Sequence, residues 1–84
     1  MMAEDFKGSN ILLVEDEETL AVGLEYNLTE EGYLVKWAKN GREAVEFFEK
    51  DKFDLIILDI MLPYLNGFEV AERIRKTDPQ IPIL

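Results

Sequence analysis

The stretch Leu55-Ile56-Ile57-Leu58 contains no polar residue, and that constrains the fold more than any other feature of the chain. A short apolar run of this kind, rich in β-branched side chains, reads as a strand buried on both faces. Such strands occur inside parallel sheets covered by helices on either side. The run delivers one carboxylate, Asp59, at its C-terminal end, just before a loop containing Pro63. Asn10-Ile11-Leu12-Leu13-Val14 has the same character and also ends in acids, Glu15-Asp16-Glu17-Glu18.

The intervening segments follow a helical period. Leu20, Leu24 and Leu28 recur at i, i+4 and i+8 beside Ala21, and predict a first helix capped by Asp16, beginning at Glu17 and closed by Gly32. Val22 and Tyr26 fall on the outward side of that helix, as a candidate partner surface or as ordinary scattered exposure. Tyr33 to Ala38 alternates and predicts an edge strand. Asn40-Gly41 turns into a helix over Arg42 to Lys50, with Ala44, Val45 and Phe48 on one face. Asn66-Gly67 marks a second turn, followed by a helix from about Phe68 to Lys76 that Asp78-Pro79 ends. Ile81 to Leu84 opens a fourth apolar run. Strands alternating with helices give an α/β domain with a parallel sheet and right-handed crossovers.

Composition narrows the chemistry. The 84 residues suffice for one small domain. Eighteen acidic and nine basic residues leave a net charge of −9, which argues against direct nucleic-acid binding by this piece and against an anionic membrane surface. Cysteine and histidine are absent, so a metal bound here must be a hard cation with oxygen ligands. No signal-peptide pattern follows Met1 and no apolar stretch could span a bilayer, so the cytoplasm is the expected location.

If the first and third strands are neighbours, Glu15, Asp16 and Asp59 converge at the carboxyl edge of the sheet, where open α/β folds place their ligand crevice. Carboxylates in such contact raise one another's pKa unless a counter-charge is present. A divalent cation is the simplest remedy. Magnesium pairs one or two carboxylates with a phosphate oxygen, which leaves Asp59 as a candidate in-line nucleophile toward phosphorus. The plainer alternative makes Glu15-Asp16 a helix start matched to the helix dipole, and Asp59 a turn acid.

Three segments carry a resemblance. Ile11-Leu12-Leu13-Val14-Glu15-Asp16-Glu17, Asp54-Leu55-Ile56-Ile57-Leu58-Asp59-Ile60-Met61-Leu62-Pro63 and Asn66-Gly67-Phe68-Glu69-Val70 closely resemble the receiver domain of bacterial two-component response regulators. Gly32-Tyr33-Leu34-Val35 and Asn40-Gly41-Arg42-Glu43-Ala44 fit as well. The Asp-Ile-Met-Leu-Pro wording most resembles the transcription-factor branch with a winged-helix output domain. The resemblance implies a flavodoxin-like, doubly wound parallel sheet in the order 2-1-3-4, with residues 1–84 the N-terminal portion of one receiver domain and 1–9 a flexible lead-in.

By the same resemblance, Asp59 accepts a phosphoryl group from a phosphohistidine on a sensor histidine kinase. Glu15, Asp16, Asp59 and the backbone carbonyl of Met61 hold Mg2+, or alternatively Mn2+. Pro63 and Gly67 support the loop, and the helix face with Val22 and Tyr26 docks the kinase. An output domain in the full-length chain carries the response, and catalysis is limited to self-phosphorylation and self-dephosphorylation. The family pattern continues past Leu84 with a Ser or Thr, a Lys and the α4-β5-α5 part. Their lack implies a truncated domain that, if isolated, self-associates or swaps. Three other readings compete. A haloacid-dehalogenase-type phosphotransferase needs an Asp where Met61 stands. A flavodoxin-like cofactor binder needs a phosphate loop where four acids stand. A non-switching pseudo-receiver serves only as an interaction scaffold.

Overall fold

The computed structural model describes residues 8–59 and 66–84. Six elements alternate: β1 (Asn10–Val14), α1 (Glu18–Glu30), β2 (Leu34–Ala38), α2 (Gly41–Lys50), β3 (Leu55–Leu58) and α3 (Gly67–Thr77). The strands form a parallel sheet in the order β2-β1-β3. Residues 82–84 extend it beside β3. The Ile56 N–H donates to Pro82 O at 3.0 Å, Leu84 N–H to Ile56 O at 2.8 Å and Leu58 N–H to Leu84 O at 2.9 Å, around a parallel bridge between Ile56 and Ile83. The expected 2-1-3-4 order and α/β class are therefore what the chain adopts, with β2 at an edge.

Crossover handedness decides which helix covers which face. The chain moves from β1 to β2 through α1, then back across β1 to β3 through α2, and onward to 82–84 through α3. Right-handed connections require α1 on one face and α2 with α3 on the other. The core follows that division: Leu12, Val14 and Ile56 cluster with Ala44 of α2, Val70 and Ile74 of α3, and Ala38 and Ile81. Ile11 and Leu13 point to the α1 face and are equally buried.

The two central runs differ from expectation in one respect. β1 is buried on both faces, but in β3 only Ile56 is fully buried, while Leu55 and Ile57 are half-buried. The cause is the lie of α1, which packs chiefly against β2 and leaves the same face of β3 partly open.

The helix starts show local chemistry. Asn40 Oδ1 accepts from the Glu43 N–H at 2.8 Å, and Glu43 Oε1 accepts from the Lys39 N–H at 2.9 Å, a reciprocal cap on α2. Asn66 Oδ1 accepts from Glu69 N–H at 3.0 Å on α3. In α1 the cap is Glu17 rather than Asp16: its side chain accepts from the Thr19 N–H at 3.3 Å and the helix begins at Glu18. Gly32 has φ +99°, the left-handed closure expected of it. The α1 stripe is rotated from its expected line. Ala21 is buried, Leu24 and Leu28 are half-buried, and Leu20 is 50% exposed, so the small residue makes the closest approach to the sheet.

Candidate functional site

The site stands where β1 and β3 end. Asp59 N–H donates to Val14 O at 3.1 Å, one bond beyond the last ladder pair, Val14 with Leu58. On the other flank Glu15 N–H donates to Ala38 O at 3.1 Å. The pairing thus places Asp59 beside Glu15, with Asp16 next along the loop. One carboxylate oxygen from each of Glu15, Asp16 and Asp59 lies within 4.8 Å of the others.

Their environments differ in a useful way. Glu15 is only 7% exposed, Asp59 is half-buried and Asp16 is exposed. Burial pushes the Glu15 carboxyl above its usual range. The Glu17 N–H, which donates to Glu15 Oε2 at 3.1 Å, opposes that rise. The Asp59 charge, a hydrogen bond shared with the Asp59 side chain, and the Asp16 charge add to it. A buried acid hydrogen-bonded to a second acid holds its proton more tightly; a divalent cation replaces that proton with two charges. The donor set is entirely hard carboxylate oxygen, open to solvent through Asp16, and suits Mg2+ or Mn2+ rather than a soft metal.

Sequence reasoning missed one contributor. Trp37, half-buried at the C-terminal end of β2, donates its indole N–H to Glu15 O at 2.7 Å. The Lys39 ammonium lies 5.8 Å from the Trp37 ring centroid. The available signal was a single tryptophan two residues before the β2–α2 turn, but alternation alone does not say what an indole N–H reaches.

The remaining candidates separate from this cluster. Val22 and Tyr26 are 53% and 65% exposed on α1 and contribute nothing to the acid group. Gly67 is buried as the first residue of α3, directly after its cap. Met61 and Pro63 lie outside the described residues.

Comparison with known proteins gives consistent results. The sequence profile of the response regulator receiver domain matches residues 11–84. The transcriptional regulatory protein AfsQ1 of Streptomyces coelicolor is 43% identical over 75 residues, which is 89% of this chain and 33% of AfsQ1. The chain thus spans about a third of the length of such curated relatives. Among solved structures, the response regulator TrrA of Thermotoga maritima in complex with Mg2+-BeF superposes with a TM-score of 0.85 at 43% identity, covering 89% of this chain and 65% of that one. A second structure, the histidine kinase ThkA in complex with TrrA, gives 0.84 at the same identity and the same coverage.

Proposed function

The chain belongs to the response regulator receiver domain family, and on that premise we propose that it is a phospho-acceptor in which Asp59 takes a phosphoryl group from a phosphohistidine of a sensor histidine kinase. The observation that carries the proposal is the convergence of Glu15, Asp16 and Asp59 within 4.8 Å at the carboxyl ends of two adjacent strands.

Glu15, Asp16 and Asp59 would hold Mg2+, with Mn2+ as a substitute, and by resemblance to the family the backbone carbonyl of Met61, outside the described residues, would be a further ligand. A cation held there would supply positive charge to offset that gathering on the phosphoryl oxygens. The main chain of Asp59 is held at the strand end by its own N–H to Val14 O, so its Cα is in place before the donor arrives. One of its oxygens forms the new bond to phosphorus as the bond to the donor nitrogen breaks, and the imidazole leaves with the electron pair. Glu15 stays deep in the cluster and restrains Asp59, while exposed Asp16 faces the side from which cation and donor approach.

Conversion of Asp59 to an acyl phosphate adds negative charge and new acceptor oxygens at the sheet edge, which is the kind of local change that shifts a two-state element. The output we propose is transcriptional control by a DNA-binding domain elsewhere in the full protein, in the cytoplasm. AfsQ1, a transcriptional regulatory protein, is about three times the length matched here, and the acidic balance of −9 suits a signalling module better than a DNA surface. Kinase docking on the outward side of α1, at Val22 and Tyr26, belongs to the same proposal; the ThkA–TrrA complex is a precedent for a kinase binding a similar receiver.

Incubation with acetyl phosphate and Mg2+, read by intact mass, tests the chemistry. One phosphoryl adduct is expected, lost in Asp59→Asn and in excess EDTA. An adduct that survives Asp59→Asn refutes the assignment.

A further inference from the structure

We infer that Trp37 is a positioning residue for the acidic cluster: its indole N–H fixes the peptide joining Glu15 to Asp16, and so sets where both carboxylates stand relative to Asp59. The inference rests on the cation-holding role proposed above.

The β1–β2 ladder ends at Val14 with Ala38, so the carbonyl of Glu15 lies one residue past the last pair that backbone bonding defines. Two groups from the β2 side take over there. Ala38 O accepts from the Glu15 N–H at 3.1 Å, and Trp37 Nε1–H donates to Glu15 O at 2.7 Å. The second bond is at the short end of the N–H···O range. Trp37 stands opposite Leu13 in the ladder, so the indole reaches forward along the strand direction to a carbonyl that an aliphatic side chain could not bond.

A peptide unit is planar, so fixing an oxygen and the preceding backbone N–H fixes the direction in which the next Cα leaves. Here the next Cα belongs to Asp16, the most exposed member of the cluster. Attraction between the Lys39 ammonium and the ring, 5.8 Å from its centroid, further restrains the indole. Partners that orient a ligand-bearing residue act on cation affinity even though they never touch the ion. A tryptophan that merely packs at a sheet edge acts on stability instead.

The experiment measures Mg2+ binding by calorimetry together with tryptophan emission, which comes from Trp37 because these 84 residues hold a single tryptophan. Two replacements remove the donor. Trp37→Phe deletes the N–H with part of the ring, and benzothienylalanine at position 37 keeps the indole shape with sulfur in place of N–H. In the unaltered protein Mg2+ is expected to change the emission with the same saturation curve as the heat. Both replacements are expected to weaken Mg2+ binding roughly fivefold or more, while the sulfur analogue keeps the parent's denaturation midpoint. If Trp37→Phe fails to fold, the sulfur analogue alone decides. Replacements that bind Mg2+ as tightly as the parent overturn the positioning role and leave the cation-holding reading intact. A parent protein that binds no Mg2+ overturns both.

Discussion

At the scale of single residues, Glu15 links the electrostatics of the cluster to the stability of the domain. Its folded-state pKa is raised above the ordinary 4.5, chiefly by burial. The folded protein therefore binds that proton more tightly than the unfolded chain does. Without metal, stability falls as the pH rises from about 4.5 through the raised value, and stays lower above it. Glu15→Gln keeps an acceptor for the Glu17 N–H and removes the titration. In EDTA the Gln variant is expected to be more stable than the parent at neutral pH, with the gap closing on acidification; urea titrations at stepped pH measure it, and a gap that widens toward acid contradicts it. The acids themselves were legible in the sequence because each follows an unbroken apolar run. Trp37 was not, since the target of its N–H depends on the β1–β2 register and not on any local pattern.

At the scale of elements, α1 is the least settled piece. Its apolar residues are spread around the helix, with Leu20, Val22 and Tyr26 all half-exposed or more, and Gly23 stands in its middle with open space where a Cβ would project. A glycine there costs helix stability without serving a close contact within the chain. Gly23→Ala is expected to stabilise the protein by about 1 kcal/mol, read as a higher denaturation midpoint. A fall in the midpoint would mean that the glycine has a role in the fold which its surroundings do not show. The same spread explains why the sequence placed the α1 stripe one step off. With leucines on one line and Ala21 beside it, periodicity could not weigh a small residue at closest approach against a large one. The cap shifted for a related reason: in Glu15-Asp16-Glu17-Glu18 every residue is an acid, and Asp16 turned out to stand with the cluster instead. By contrast α2 and α3 matched closely, because each opens on an Asn-Gly pair whose asparagine can cap only the helix after it.

At the scale of the whole molecule, the sheet has unequal faces. The face under α2 and α3 holds the closed cluster around Leu12, Val14 and Ile56, whereas the α1 face leaves Leu55 and Ile57 half-open. Truncations should register that asymmetry. Ile56→Ala is expected to cost about 3 kcal/mol as a cavity in a closed core, and Leu55→Ala roughly 1 kcal/mol as partial loss of burial. Equal costs in chemical denaturation would mean that the α1 face is more closed than its exposures indicate. The order of strands and the sides taken by the helices were readable in advance, since alternation and crossover handedness leave few alternatives. The uneven cover was not, because it depends on how α1 leans.

The pairing of β1 with β3 joins residues 44 positions apart, as Asn10 and Asp54 do. Contacts of such separation carry a loop-closure cost that local contacts do not. The acid cluster thus exists only where β1 and β3 have paired. A slip of one residue in that ladder would turn β3's side chains to the opposite face and set Asp59 against the wrong neighbour. The cluster is therefore also a check on folding: only a chain whose distant halves have found their register brings the three acids together.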